Sequence, residues 1–359
     1  MSRLALCAVA LLLLGLTPAE KRGRVIYRTG NGAFAVIGGT EVGAGVAPCA
    51  NCHGFDGRGI PEGSIEPPDV RWSVLSAPHL ERRRPRYDAA ALRRAVIEGI
   101  ASGGEPLSPV MPRYRIEALD DLVAYLQTLG EVADPGLSDD AITIATAVPS
   151  EITRKVIEGW LHDVNASGGI YGRTLELGLV DAAFAIVCTA DPSLVPLIAE
   201  ERIPVLTPLP ATPAASTMFF LFSDAESQAR ALQTYLAETK IGDGRQFTPV
   251  PTLPTDVTPE ALQELRAFTE RHRLPSTQMA TQIATHATMK VFIEGLKRAG
   301  RDLTREKLLA SLERLYQFQT GLTPPITYAR NQHSGASGAY ILDSKTLVPV
   351  SGWIPASRE

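Results

Sequence analysis

Apolar and polar positions change rhythm twice along this chain. Residues 4–16 form a continuous apolar run after the single positive charge of Arg3 and before small residues ending at Ala19. That run is shorter than the roughly twenty residues needed to span a bilayer, and its layout predicts a secretory signal over residues 1–19. From 20 to 130 the pattern is loop-rich, with two helical repeats. One carries Leu92, Ala95, Val96 and Ile100 behind a capping Asp88, and the other carries Leu119, Leu122, Val123, Leu126 and Leu129 before a stop at Gly130. Residues 131–140, EVADPGLSDD, read as a linker. Beyond them apolar runs alternate with helical periods. Strands are expected at 142–148, 174–180, 184–188, 203–206 and 218–222. Helices are expected with Ile152, Val156, Trp160, Leu161 and Val164 on one face, over 194–199, and near 258–272, 278–299 and 304–315, the last capped by Thr304. Short strands near 325–329 and 339–342 end the pattern, which predicts an α/β unit with a parallel sheet over 141–359.

Composition narrows the choices. At 359 residues, 45% hydrophobic and 21% charged, the chain has material for two folded domains. A net charge of -4 without a basic stripe gives no reason to expect a nucleic-acid partner. No later run reaches membrane length, so no stable membrane span is expected once the signal is removed. Removal also takes Cys7, leaving Cys49, Cys52 and Cys188 in an oxidising compartment, the periplasm. Cys188 ends an apolar run and reads as a buried, inert thiol. His162, His272, His286 and His333 show no metal-ligand spacing, and no G-x-S-x-G, H-E-x-x-H or P-loop pattern occurs.

One short segment carries specific chemistry. Cys49-Ala50-Asn51-Cys52-His53 is C-x-x-C-H, the attachment signature of covalent haem c. Two thiols add across the two vinyl groups of haem, and the histidine after the second is held under the iron as proximal ligand. A zinc knuckle would need a second ligand pair, and none follows. A redox pair would follow a strand, whereas this motif follows the glycine-rich stretch 38–45 and Pro48. A disulfide across two residues would be strained. For the sixth iron position Met111 is the candidate: Pro109 and Pro112 stiffen its loop between the two helical repeats. Met218, Met279 and Met289 fall in apolar or helical runs and read as core side chains. The haem-binding set is therefore Cys49, Cys52, His53 and Met111, with His53 and Met111 on the metal. The run Arg82, Arg83, Arg84 and Arg86 reads as a solvated loop, and Arg113 and Tyr114 as contacts for haem propionates.

These residues carry a resemblance. Residues 24–130 resemble a class I c-type cytochrome through Cys49–Gly54, Met111-Pro112 and the final helix Leu122-Val123-Ala124-Tyr125-Leu126. The resemblance implies an all-α domain in which a proline carbonyl, from Pro67 or Pro68, accepts a hydrogen bond from the proximal histidine. Residues 30–48, where the family places its first helix, lack helical periodicity, which puts the contact between first and last helices in question. Residues 141–359 resemble periplasmic binding proteins of the branched-chain amino-acid type. The match rests on Val164-Asn165-Ala166-Ser167-Gly168-Gly169-Ile170-Tyr171-Gly172-Arg173, on Ile203-Pro204-Val205-Leu206 and on Ala299-Gly300-Arg301-Asp302-Leu303-Thr304. It implies two α/β lobes; this chain departs from the family in lacking most strands of the second lobe, between about 239 and 259.

The expectation is a multidomain periplasmic protein with one covalent haem c, acting in electron transfer and not as an enzyme. Its implied partner is a periplasmic dehydrogenase or terminal acceptor, with a possible small-molecule ligand on the α/β domain. The alternatives are a haem-containing solute-binding or sensing protein of an ABC-type uptake system, and a haem peroxidase.

Overall fold

The structure, a computed structural model, describes residues 16–78, 84–148, 150–189, 191–239 and 245–356. Residues 1–15 of the expected signal, with Cys7, lie outside the described residues, as do Arg82 and Arg83. The chain divides into two compact units, 1–133 and 134–359.

Among the described residues the first unit holds α1 (Pro18–Thr29), β1 (Ala33–Ile37), β2 (Thr40–Gly43), α2 (Cys49–His53), α3 (Trp72–Leu75), α4 (Ala89–Ile97), β3 (Arg113–Ile116) and α5 (Leu119–Leu126). It is not all-α. β2, β1 and β3 form an antiparallel sheet in that order. The glycine-rich stretch makes a tight hairpin, and the chain leaving the Met111 loop pairs with its inner strand. Both expected helices are present, α4 with Asp88 accepting from the Ala91 N–H at 2.8 Å.

A further helix, α1, lies upstream of the glycine-rich stretch and packs on α5. Thr17 and Glu20 cap it reciprocally. Gly23 sits at the crossing, where a Cβ would stand 2.0 Å from the Asp121 carbonyl oxygen and 2.8 Å from the Tyr125 Cβ. Arg22 forks onto Asp121 at 2.6 and 2.9 Å, and the Tyr27 and Tyr125 rings lie 5.5 Å apart. First and last helices thus do meet, through a helix placed earlier than residues 30–48. Ala19, the expected signal end, lies inside α1.

Among the described residues the second unit holds β4 (Ala141–Ala147), α6 (Glu151–Ala166), β5 (Thr174–Leu177), β6 (Ala185–Thr189), α7 (Val195–Glu201), β7 (Val205–Thr207), β8 (Met218–Phe222), α8 (Ala225–Thr239), β9 (Phe247–Val250), α9 (Pro259–Arg271), α10 (Met279–Ala299), α11 (Arg305–Leu312), β10 (Ser334–Ala336), β11 (Gly338–Asp343) and β12 (Ile354–Pro355). An all-parallel sheet runs in the order β10-β8-β7-β6-β4-β5. Alternate side chains feed its two faces. Val187, Leu206, Phe219 and Leu221 join Ile157, Phe292 and Leu308 of the helices on one face. Ile186, Val205, Met218 and Phe220 join Ile198 of α7 on the other. A small antiparallel sheet, β12-β11-β9, packs with α8.

The expected linker is folded from residue 134 onward. Asp134 accepts from the Arg305 N–H at 2.6 Å, and the Thr143 N–H donates to Gly136 at 2.7 Å. Arg305, 4% exposed, donates to the carbonyls of Phe184 (3.0 Å), Glu201 (2.8 Å) and Ala183 (2.6 Å). It ties α11 to the entrance of β6 and the end of α7. Arg305→Ala strips two buried carbonyls and one half-buried one of their donor. It should cost about 2–4 kcal/mol, read as a lower denaturant midpoint for the second unit. A change under about 0.5 kcal/mol would contradict that role.

Candidate functional site

α2 is the C-x-x-C-H segment itself. Positions 49 and 52 are three apart on a helical turn, so both thiols share one face, with His53 next along the chain. Both cysteines are free; Cys49 is half-buried and Cys52 exposed. Desolvation pushes the Cys49 thiol up to about 12.

His53 Nδ1 lies 3.0 Å from the carbonyl oxygen of Pro68. A carbonyl only accepts, so Nδ1 carries the proton and Nε2 keeps its lone pair. Burial lowers the histidine's pKa, with the Pro68 bond acting against it. Of the two prolines offered by the sequence, Pro68 supplies the carbonyl.

The loop bearing Pro68 is stitched to α2 by backbone bonds. The Gly59 N–H donates to His53 and the Ile60 N–H to Cys52, both at 2.8 Å, and the Val70 N–H donates to Gly57 at 2.7 Å. The Tyr27 hydroxyl donates to the Gly54 carbonyl at 2.8 Å, joining α1 to the end of α2. Gly59 has φ +88°, and a Cβ there would sit 2.2 Å from the Pro67 carbonyl oxygen. Only glycine lets the two strands of this loop approach so closely.

Arg113 organises the methionine loop. Its guanidinium donates to the carbonyls of Met111 (2.5 Å) and Leu107 (3.1 Å), and the Met111 N–H donates to Ser108 at 3.2 Å. The Tyr114 hydroxyl donates to Ala47, just before α2, at 2.7 Å. Arg113 and Tyr114 hold backbone carbonyls on either side of the site. Leu107 of the methionine loop packs into the same apolar cluster as Cys49, Phe55, Val70 and Trp72. Met111 itself is half-buried. Of the other methionines, Met218 and Met289 are core, but Met279 is 37% exposed. The donor set fits a covalent haem: two free thiols on one helical face, an imidazole whose Nδ1 is occupied, a stiffened thioether loop and apolar walls.

In the second unit Cys188 is buried, its thiol pushed up to about 12 by that burial. Two histidines that lack metal spacing in sequence come together in space. His272 Nε2 and His162 Nδ1 lie 3.0 and 3.2 Å from one oxygen of Asp163, while Arg271 pairs with the other. A separation of 109 positions hides this cluster from local spacing. Arg271 already neutralises the carboxylate, which weakens the cluster as a cation site.

No family model matches the sequence, and no curated protein matches it. Solved structures do. A fatty acid ABC transporter substrate-binding protein from Thermomonospora curvata aligns with TM-score 0.51 at 12% identity, covering 63% of this chain and 95% of that one. A branched chain amino acid ABC transporter from Thermus thermophilus with bound valine aligns with TM-score 0.47 at 12% identity, covering 62% and 98%. A possible leucine/isoleucine/valine-binding protein from Rhodopirellula baltica SH 1 gives TM-score 0.44 at 10% identity, covering 61% and 98%. At such identity the first likeness shows a fold: a mixed α/β chain with the parallel sheet of a periplasmic binding protein.

Gly59→Ala should drive Pro67 and Pro68 from α2 and cost about 2–3 kcal/mol. Gly32, also left-handed at φ +79° but with nothing within 4 Å of its Cβ position, is the control. Gly32→Ala should cost about 1 kcal/mol. Equal losses in the two unfolding curves would show that the Pro67 approach is unimportant.

Proposed function

We propose that the first unit carries one covalent haem c and acts as a periplasmic electron carrier. The observation that supports this most is the His53–Pro68 hydrogen bond on a C-x-x-C-H turn, at 3.0 Å. Bound there, haem supplies a one-electron iron couple. Cys49 and Cys52 anchor it to α2. Pro68 holds the imidazole with its Nε2 lone pair free, so His53 would hold the iron, and a hydrogen-bonded ligand histidine is the more basic for it. Met111 would supply the second, thioether ligand, from a loop that Arg113 pins through the Met111 carbonyl. An iron held by both His53 and Met111 would have no place left for a substrate. That favours outer-sphere electron transfer over a peroxidase, and a non-enzymatic role. The redox partner is a periplasmic dehydrogenase or terminal acceptor, with the α/β unit as docking scaffold.

A second reading draws on the α/β unit: a haem-bearing solute-binding protein serving an ABC-type uptake system. The fold likeness to the Thermomonospora curvata substrate-binding protein favours it. Periplasmic placement follows under either reading from the expected signal and from that fold. No helix among the described residues is long and apolar enough to cross a membrane.

Produced in a periplasm with haem-attachment machinery, the full chain should keep haem under denaturing electrophoresis. Cys49→Ala with Cys52→Ala should abolish that signal, whereas Met111→Ala should keep it and lower the reduction potential. Absence of covalent haem in the folded wild type would overturn the proposal. Valine binding by calorimetry would move the α/β unit to the second reading.

A further inference from the structure

α6 carries His162 and Asp163 side by side, and His272 follows the last residue of α9. Helix packing brings the three together. Gly159, one turn before Asp163, leaves the room: a Cβ there would stand 3.0 Å from His272 Cγ and 2.6 Å from Phe268 Cζ. The His272 ring therefore lies close on α6, tilted against Phe268 at 4.4 Å. Its backbone N–H donates to the Phe268 carbonyl at 3.0 Å, which fixes the residue at the end of α9. The His272 side chain is 14% exposed and that of His162 71%, so the cluster is open to solvent on the His162 side.

The donor atoms share one focus. His272 Nε2 and His162 Nδ1 lie 3.0 and 3.2 Å from the same oxygen of Asp163, Oδ1. All three atoms fall within 4.8 Å of one another. Ligands held about 2.0–2.1 Å from a tetrahedral zinc stand about 3.3 Å apart. Two of the three edges already have nearly that length. Without a metal, one carboxylate oxygen accepts from both rings. To bind one, each ring carries its proton on its other nitrogen and turns a lone pair inward.

Arg271 decides which ion fits. It pairs with Oδ2 and leaves Oδ1 to the cluster. That pairing orients the carboxylate, as partners of metal ligands do, and cancels its charge. Magnesium and calcium rely on several oxygen ligands and on carboxylate charge, and this cluster offers them one neutralised carboxylate. Affinity has to come from the two imidazoles, which suit zinc, copper and nickel.

We propose that His162, Asp163 and His272 bind one divalent first-row transition ion through Nδ1, Oδ1 and Nε2, with solvent in the remaining position. The ion clips α6 to the end of α9, across 109 positions of the chain. Zinc chloride is the probe, titrated by calorimetry into the untagged, chelator-treated full chain carrying Cys49→Ala and Cys52→Ala, which removes competing thiols. One saturable site is expected. His162→Ala, at an exposed position, should leave the fold unchanged and weaken binding about tenfold or more, since losing even a group that supports a ligand costs that much. His272→Gln should do the same. Saturating zinc should raise the unfolding temperature of the parent chain and not that of His162→Ala. No saturable binding to the folded parent would overturn the proposal, as would undiminished binding by His162→Ala. Magnesium or calcium binding as tightly as zinc would overturn the imidazole assignment.

Discussion

A carbonyl oxygen can only accept a hydrogen bond, and the first unit is arranged around that fact. With Pro68 accepting from Nδ1 at 3.0 Å, the imidazole of His53 has one tautomer and one free lone pair. Everything near α2 serves to keep Pro68 in place. The loop from Gly54 to Val70 folds back through backbone bonds onto Cys52, His53 and Gly57. Gly59 removes the side chain that would hold the loop open, and Tyr27 ties the end of α2 to the helix beneath it. The α1–α5 crossing at Gly23 is the platform under this arrangement, because it fixes the helix that bears Tyr27.

The methionine side is held by different means. Arg113 gathers the carbonyls of Leu107 and Met111, so the loop is braced by its own backbone rather than by a long-range contact. Tyr114, on the same strand, reaches the segment entering α2. One short strand thus links both halves of the candidate site, and β3 exists because β1 offers it a pairing edge. The sheet that makes this unit mixed rather than all-α is part of how the site is assembled.

The legibility of the sequence followed the range of the interactions. The C-x-x-C-H turn is local chemistry and reads directly, as do the caps at Asp88 and Thr304. The central strands β4, β6 and β8 read as apolar runs because both faces of a parallel sheet are buried. α1 is obscured because its apolar residues are few and Gly23 interrupts it, an advantage only once Asp121 and Tyr125 pack against it. α8 buries little beyond Ser227 and Ala231, so its helical pattern is faint. The partners of Arg113 and Tyr114 are backbone carbonyls, which carry no sequence signal at all. The His162–Asp163–His272 cluster and the Trp160–His286 pair span more than a hundred positions and are properties of helix packing.

The two units present different chemistries: two thiols, an imidazole and a braced methionine loop in one, and a parallel sheet with an aromatic-lined cavity between its helices in the other. The central claim is that Met111 and His53 together close the coordination of a haem on α2. The most direct measurement is the optical spectrum of the oxidised full chain at the far-red band of methionine-ligated ferric haem. The band should be present in the wild type and absent from Met111→Ala. A wild-type spectrum without it, together with ready binding of added cyanide or imidazole, would mean an open distal position and would contradict the electron-carrier reading.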